Sequence, residues 1–126
     1  MLNISIVLYK PLWQQVVALT QSLLGFDGVH HIYWIDNSPT AIQELPISSK
    51  KLHYIFNNKN IGYGAAHNIA FRESIYDDVP FHLVINPDII ITPEALSTLV
   101  TFIQQNNEVG CLVPKVVYPN GELQYL

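Results

Sequence analysis

Charge is scarce in this 126-residue sequence. Asp, Glu, Lys and Arg together make up 13% of it, against about 25% in an ordinary globular domain. Positive charge is the scarcest: six Lys and Arg stand against ten Asp and Glu, for a formal net charge of −4. So few cations leave no electrostatic footprint for a phosphate backbone, which excludes general nucleic-acid binding. Long apolar runs are missing too. None approaches the roughly 18 residues of a membrane span. No basic segment followed by an apolar leader opens the chain, so the cytoplasm is the expected location. One cysteine, Cys111, excludes an internal disulfide and fits a reducing compartment. Its apolar neighbours make it an expected small core residue. With 49% hydrophobic residues, the chain has the material for a core and is not a disordered segment.

What is present alternates between two periodicities. Apolar, β-branched runs at 3–9, 30–36, 52–56, 81–85 and 109–113 read as strands. Val116 to Tyr118 and Pro119-Asn120-Gly121 read as a short strand and a turn. Between them lie helical patterns. Pro11 suits a first helical turn, and Leu12, Val16, Leu19 and Leu23 recur up to Gly25. A second helix is expected from about Gly64 to Tyr76. A third is capped by Thr92 and opened by Pro93, with Leu96, Leu99, Val100 and Ile103 on one face. Residues 40–50 read as loop or short helix. Helical connections of this length between strands imply an α/β fold: a mostly parallel sheet flanked by helices over residues 1–126. The sequon Asn3-Ile4-Ser5 falls inside the first, buried strand and has no meaning for glycosylation.

Sheets of this kind bind ligands beyond the carboxyl ends of their strands, so the residues just after each strand are the candidates. Asp36 offers a carboxylate to a ligand N–H or hydroxyl, or else caps the following turn. Asn60-Ile61-Gly62-Tyr63-Gly64-Ala65-Ala66-His67-Asn68 is a glycine loop running into a helix. Its glycines permit close approach, and the helix start offers free N–H groups to an anion. The loop partly matches a dinucleotide fingerprint, but His67 stands where the third glycine belongs. Asn86-Pro87-Asp88 reads as an Asx-Pro turn, or as one carboxylate sharing a hard cation with a diphosphate. The histidines form no metal pattern: His30 and His31 are adjacent and should face opposite sides of a strand.

Taken in order, these segments resemble family 2 glycosyltransferases, in particular their rhamnosyltransferase-like branch. Ser5-Ile6-Val7-Leu8-Tyr9, Ile35-Asp36-Asn37-Ser38, the 60–68 loop, Asn86-Pro87-Asp88, Pro114-Lys115 and Asn120 to Gln124 carry the resemblance. It implies an inverting enzyme of the GT-A, Rossmann-like type that binds a UDP- or dTDP-sugar with Mg²⁺ or Mn²⁺. By position, Leu8 and Tyr9 would cradle the base and Asp36 would bind its ring. Asn60, Gly62, Gly64 and Asn68 would surround the nucleoside. Asn86 and Asp88 would stand at the family's D-x-D position, with Asp88 as the metal ligand. Two departures stand out: Leu8-Tyr9-Lys10 replaces the usual T-Y-N, and Asn86 replaces the first Asp.

The resemblance places the general base of transfer in an acceptor-binding half beyond residue 126. The expectation is therefore a truncated donor-binding portion that acts in polysaccharide biosynthesis, in the cytoplasm or at the inner membrane face, on a glycan or lipid-linked acceptor. This portion is expected to be inactive alone. The alternatives are a Rossmann-type dinucleotide-binding domain and a non-catalytic truncated module. The low charge suits a face that is normally covered. An apolar patch near residues 109–126 is expected to drive homo-oligomer formation.

Overall fold

The computed structural model describes residues 1–125; Leu126, the end of the expected unit and of the expected apolar patch, lies outside the described residues. The element order is β1 (Leu2–Leu8), α1 (Trp13–Leu24), β2 (Val29–Asp36), β3 (Leu52–Phe56), α2 (Tyr63–Tyr76), β4 (Phe81–Val84) and α3 (Pro93–Gln105). The four strands form one parallel sheet in the order β3-β2-β1-β4. The chain adds strands in one direction from β1, then returns to place β4 on its other side. The ends of β1 and β4 therefore flank a topological switch point, where open α/β sheets form their ligand crevice.

Alternation along β1 sorts the layers. Leu2, Ile4, Ile6 and Leu8 pack with Val16, Leu19 and Leu23 of α1, Trp34 of β2 and Leu96 of α3. Trp34 is fully buried, and its indole N–H donates to Thr20 Oγ1 at 3.0 Å. On the other face Tyr33 and Ile35 pack with Ala66 and Ala70 of α2. That second layer is narrow and polar. Asn3, Ser5, His67 and Ser74 are all buried there. The complete burial of Asn3 agrees with the sequon having no meaning for glycosylation.

Both expected features of α3 hold: Pro93 opens it, and Thr92 Oγ1 accepts from the Ala95 N–H at 3.2 Å. Several expectations need correction. Pro11 precedes the helix it was expected to open, because the cap of α1 falls at Leu12. Residues 109–113 form no strand, so the sheet has four strands among the described residues rather than five. An apolar run gains little from extension unless an edge receives it, and this one pairs with no strand among the described residues. Cys111 is consequently exposed rather than in the core. The 116–124 segment does fold back on itself, with a Val117–Leu123 antiparallel bridge and Gly121 at φ +88° in its turn.

His30 and His31 also depart from simple alternation. The β1–β2 register jumps between Leu2↔Val29 and Asn3↔His31, which leaves His30 as a bulged extra residue. The two imidazoles lie side by side, their ring centroids 4.0 Å apart. Asn3 supports the irregularity, its Oδ1 accepting the His31 backbone N–H at 3.0 Å.

Candidate functional site

The carboxyl edge of the sheet is assembled from strand ends and stitched by short polar side chains. Asn57, after β3, donates through Nδ2 to Asn37 Oδ1 at 2.8 Å. Asn37, after β2, donates through its own Nδ2 to the Gly62 carbonyl at 3.2 Å. Tyr63, the first residue of α2, donates its hydroxyl to Asn86 Oδ1 beyond β4 at 2.7 Å. The glycine loop is thereby fixed between the ends of β2 and β4.

Asp36 lies at the floor of a cleft of about 450 Å³ whose walls include Lys10, Pro11, Trp13, Thr40 and Ile42. Its carboxylate is buried, with Oδ1 accepting from the Ser38 N–H at 2.8 Å and Oδ2 from the Tyr54 hydroxyl at 2.7 Å. The turn expected at Asp36 is thus real, and it places the carboxylate against the cleft at the same time. Burial, followed by the Asp36 bond, pushes the Tyr54 phenol up to about 12, so it donates throughout the working pH range. Ile42 N–H donates to the same Tyr54 oxygen at 3.2 Å and ties the 40–42 loop to the cleft.

At the glycine loop, Asn60 Oδ1 accepts from the Gly62 N–H at 3.0 Å. Gly62 caps α2 at φ +92°, a conformation L side chains rarely adopt. No side chain caps the helix, so its first-turn N–H groups and the positive end of its dipole face outward. Gly64 is different from Gly62. Its φ is ordinary, and a Cβ built on it would meet nothing within 4 Å. Inside a helix Gly is roughly 1 kcal/mol worse than Ala. Among the described residues, neither backbone conformation nor packing requires glycine at 64.

The other expected residues divide. Leu8 is wholly in the core, and its carbonyl accepts the Asn37 N–H at 2.8 Å, so it shapes the edge rather than offering a free polar group. Tyr9 is exposed beside it, and Lys10 follows at φ +46° with its N–H bonded to Ser38 Oγ at 2.7 Å. Asn68 is exposed farther along α2. Asn86 and Asp88 are exposed beyond β4. Tyr63 has its phenol raised by burial and then by the Asp88 charge, which places that carboxylate beside the loop. The donor set fits a hard divalent cation that brings phosphate oxygens with it: Asp88 is one exposed carboxylate, while the Asn86 amide oxygen is already taken by Tyr63.

Behind the loop, His67 Nδ1 lies 2.7 Å from Ser5 Oγ, and His82 Nε2 lies 2.8 Å from the same oxygen. His82 Nδ1 is 2.7 Å from Ser74 Oγ, which also accepts from Asn3 Nδ2 at 3.0 Å. His67 Nε2 is buried without a partner among the described residues. A buried lone pair without a partner costs less than an orphaned N–H, so His67 carries its proton on Nδ1. It then donates to Ser5, Ser5 to His82, and His82 to Ser74. Burial lowers both histidines, and the neighbouring His67 charge helps to take His82 to about 4.

At the opposite end of the sheet, one donor atom each from His30, His31 and Asp77 lies within 4.8 Å of the others. The expectation that the histidines form no metal grouping is corrected here, because the bulge at His30 removes the alternation on which it rested. Burial is the main force lowering His31, reinforced by the His30 and His53 charges and opposed by Asp77.

Sequence reasoning missed Asn37, Tyr54 and Tyr63. Alternation along β3 puts Tyr54 on the same face as Leu52, which was the available signal. Nothing in sequence tells how far its hydroxyl reaches.

The profile of a family described as glycosyl transferase family 2 matches residues 35–125. A low-salt glycan biosynthesis hexosyltransferase, Agl10, of Haloferax volcanii is 30% identical over 96 residues. That match covers 75% of this chain and 31% of the archaeal protein, so the chain spans about a third of the curated relative's length.

Proposed function

The chain belongs to glycosyl transferase family 2, and from that premise we propose that its carboxyl sheet edge binds a nucleotide-diphospho-sugar, UDP- or dTDP-linked, for inverting transfer of a hexosyl or rhamnosyl group. The four-stranded parallel sheet with its three helices is the Rossmann-like portion of the GT-A fold. The observation that carries the proposal is Gly64: a helix-first-turn glycine with open space at its Cβ, beside uncapped N–H groups. A diphosphate accounts for both features, since it needs close backbone approach and N–H donors.

In this reading the base enters the cleft over Asp36. The remaining lone pairs of that carboxylate face the ring N–H, and Trp13 and Lys10 form a wall. Tyr9, exposed at the end of β1, would meet the base at the cleft's border, and the buried Leu8 would support that edge. Asn60, Gly62 and Gly64 pass the diphosphate along the start of α2, with Asn68 bordering the loop. Asn86 holds Tyr63 in place, and Asp88 would hold Mg²⁺ or Mn²⁺ together with the phosphates. When bound, the cation offsets negative charge on the diphosphate leaving group. Helix N–H groups stabilise the same charge.

Deprotonation of the acceptor hydroxyl needs a general base. The reading assigns it to an acceptor-binding portion outside residues 1–126, with a glycan or lipid-linked acceptor, in the cytoplasm or at its membrane face. No helix among the described residues is long and apolar enough to cross a membrane. These residues alone are expected to bind donor without turning it over. A thermal-shift panel tests the class: UDP-, dTDP- and GDP-sugars and NAD⁺, each with and without Mn²⁺. Mn²⁺-dependent stabilisation by one pyrimidine donor supports the proposal. Metal-independent stabilisation by NAD⁺ alone would replace it with a dinucleotide-binding domain. No response to any donor would leave a non-catalytic module.

A further inference from the structure

We propose a second metal site, for a first-row transition ion such as Zn²⁺, formed by His30, His31 and Asp77 at the amino end of the sheet. Asp36 lies six positions after His30 along β2. At about 3.3 Å per residue this puts the site on the order of 20 Å from the donor edge. It is therefore distinct from any cation held by Asp88.

Four features of the structure meet there. The first is the three donor atoms within 4.8 Å of one another, close enough for one ion to contact all three after small rotamer adjustments. The second is the bulge. Strand alternation would send His30 to the α1 face, whereas the extra residue brings its ring beside that of His31. The third is support for a ligand from behind. His53 Nε2 lies 3.0 Å from His31 Nδ1, which holds the His31 ring in place from behind. A hydrogen bond to one ring nitrogen fixes the orientation in which an imidazole meets a metal. The fourth is the field. Asp77 is the C-cap of α2, so the negative end of a 14-residue helix faces the same spot. Glu73, one turn earlier, adds a second carboxylate close enough to help raise the Tyr33 phenol.

The donor set selects the ion. Two imidazoles and one carboxylate suit Zn²⁺, Co²⁺ or Ni²⁺, whereas Mg²⁺ prefers an all-oxygen shell. Three protein ligands leave room for water as a fourth. The ion would tie the C-terminus of α2 to the start of β2. Its role is thus to hold the helix whose other end carries the glycine loop.

The test is calorimetric titration of the full chain with ZnCl₂ in a Cys111→Ser background, which removes the exposed thiol as a competing ligand. The proposal expects one Zn²⁺ per chain, an affinity in the micromolar range or tighter, and no comparable heat from MgCl₂. His30→Ala and Asp77→Asn should each weaken Zn²⁺ binding at least tenfold, while Asp88→Ala should not. Circular dichroism checks that the variants fold. Should His30→Ala unfold, absorption of the Co²⁺-loaded Cys111→Ser chain gives the second readout, with a visible band of low-coordinate N/O ligation expected. Substoichiometric binding, an affinity unchanged in both ligand variants, or a purely octahedral Co²⁺ spectrum would overturn the site.

Discussion

Gly62 and Gly64 sit two residues apart and are glycine for opposite reasons, which makes them separable by substitution. Gly62 needs its positive φ, so Gly62→Ala should cost about 1–2 kcal/mol in urea unfolding. Gly64 has an ordinary backbone and free space, so Gly64→Ala should leave stability unchanged or raise it by about 0.5–1 kcal/mol. The same methyl should weaken donor binding. Loss of stability in Gly64→Ala would mean that the glycine serves the fold. Tyr54→Phe removes a donor from the buried Asp36 carboxylate and should cost about 1–3 kcal/mol, read in the same unfolding experiment. The glycine loop could be read from sequence because its pattern is contiguous. Tyr54 could not, because its contribution is a hydroxyl reaching Asp36 from the neighbouring strand, 18 residues away in sequence.

Among elements, α2 carries the most consequence. Its inner face is built of Ala66, Ala70, Ser74 and His67, and it meets the sheet through a hydrogen-bonded chain as well as through apolar packing. Helices α1 and α3 were legible from the 3.6-residue spacing of their large apolar residues. For α2 the spacing gave the helix but not the polar relay, because Ser5, His67 and His82 come from three separate segments. The relay has a pH signature. His82 titrates at about 4 when folded against about 6.5 unfolded, so the unfolded chain binds more protons between those values. Stability from this group is therefore full above pH 6.5 and is lost as pH falls through 4. The drop should be on the order of 2 kcal/mol after discounting for partial exposure. Urea midpoints measured from pH 7 to 4 should fall more steeply in the parent than in His82→Gln. Parallel curves would remove the relay from the account.

At the scale of the molecule, the sheet ends abruptly. Among the described residues, strand β4 is an edge strand paired only with β1, and the 109–113 run that sequence periodicity assigned to a fifth strand lies outside the sheet. Strand pairing depends on what edge is available, and composition does not report that. Val113, Val117, Tyr118, Leu123 and Tyr125 are all substantially exposed in the same C-terminal stretch. Apolar surface of this kind drives association. Light scattering at rising concentration should show dimers or larger species, which Val117→Lys with Tyr118→Lys should reduce; a monomer at all concentrations would contradict this.

The proposed donor site rests on Asp36, the start of α2 and a cation at Asp88, all at the carboxyl edge of the sheet. The most direct measurement is calorimetric titration of the parent, Gly64→Ala and Asp88→Ala chains with UDP- and dTDP-hexoses, with Mn²⁺ and after chelation. Saturable binding of one donor class by the parent is expected in Mn²⁺. Chelation and Asp88→Ala should each weaken it at least tenfold, and Gly64→Ala should weaken it in a chain of undiminished stability. Equal donor affinity in all three chains, with or without Mn²⁺, would contradict it.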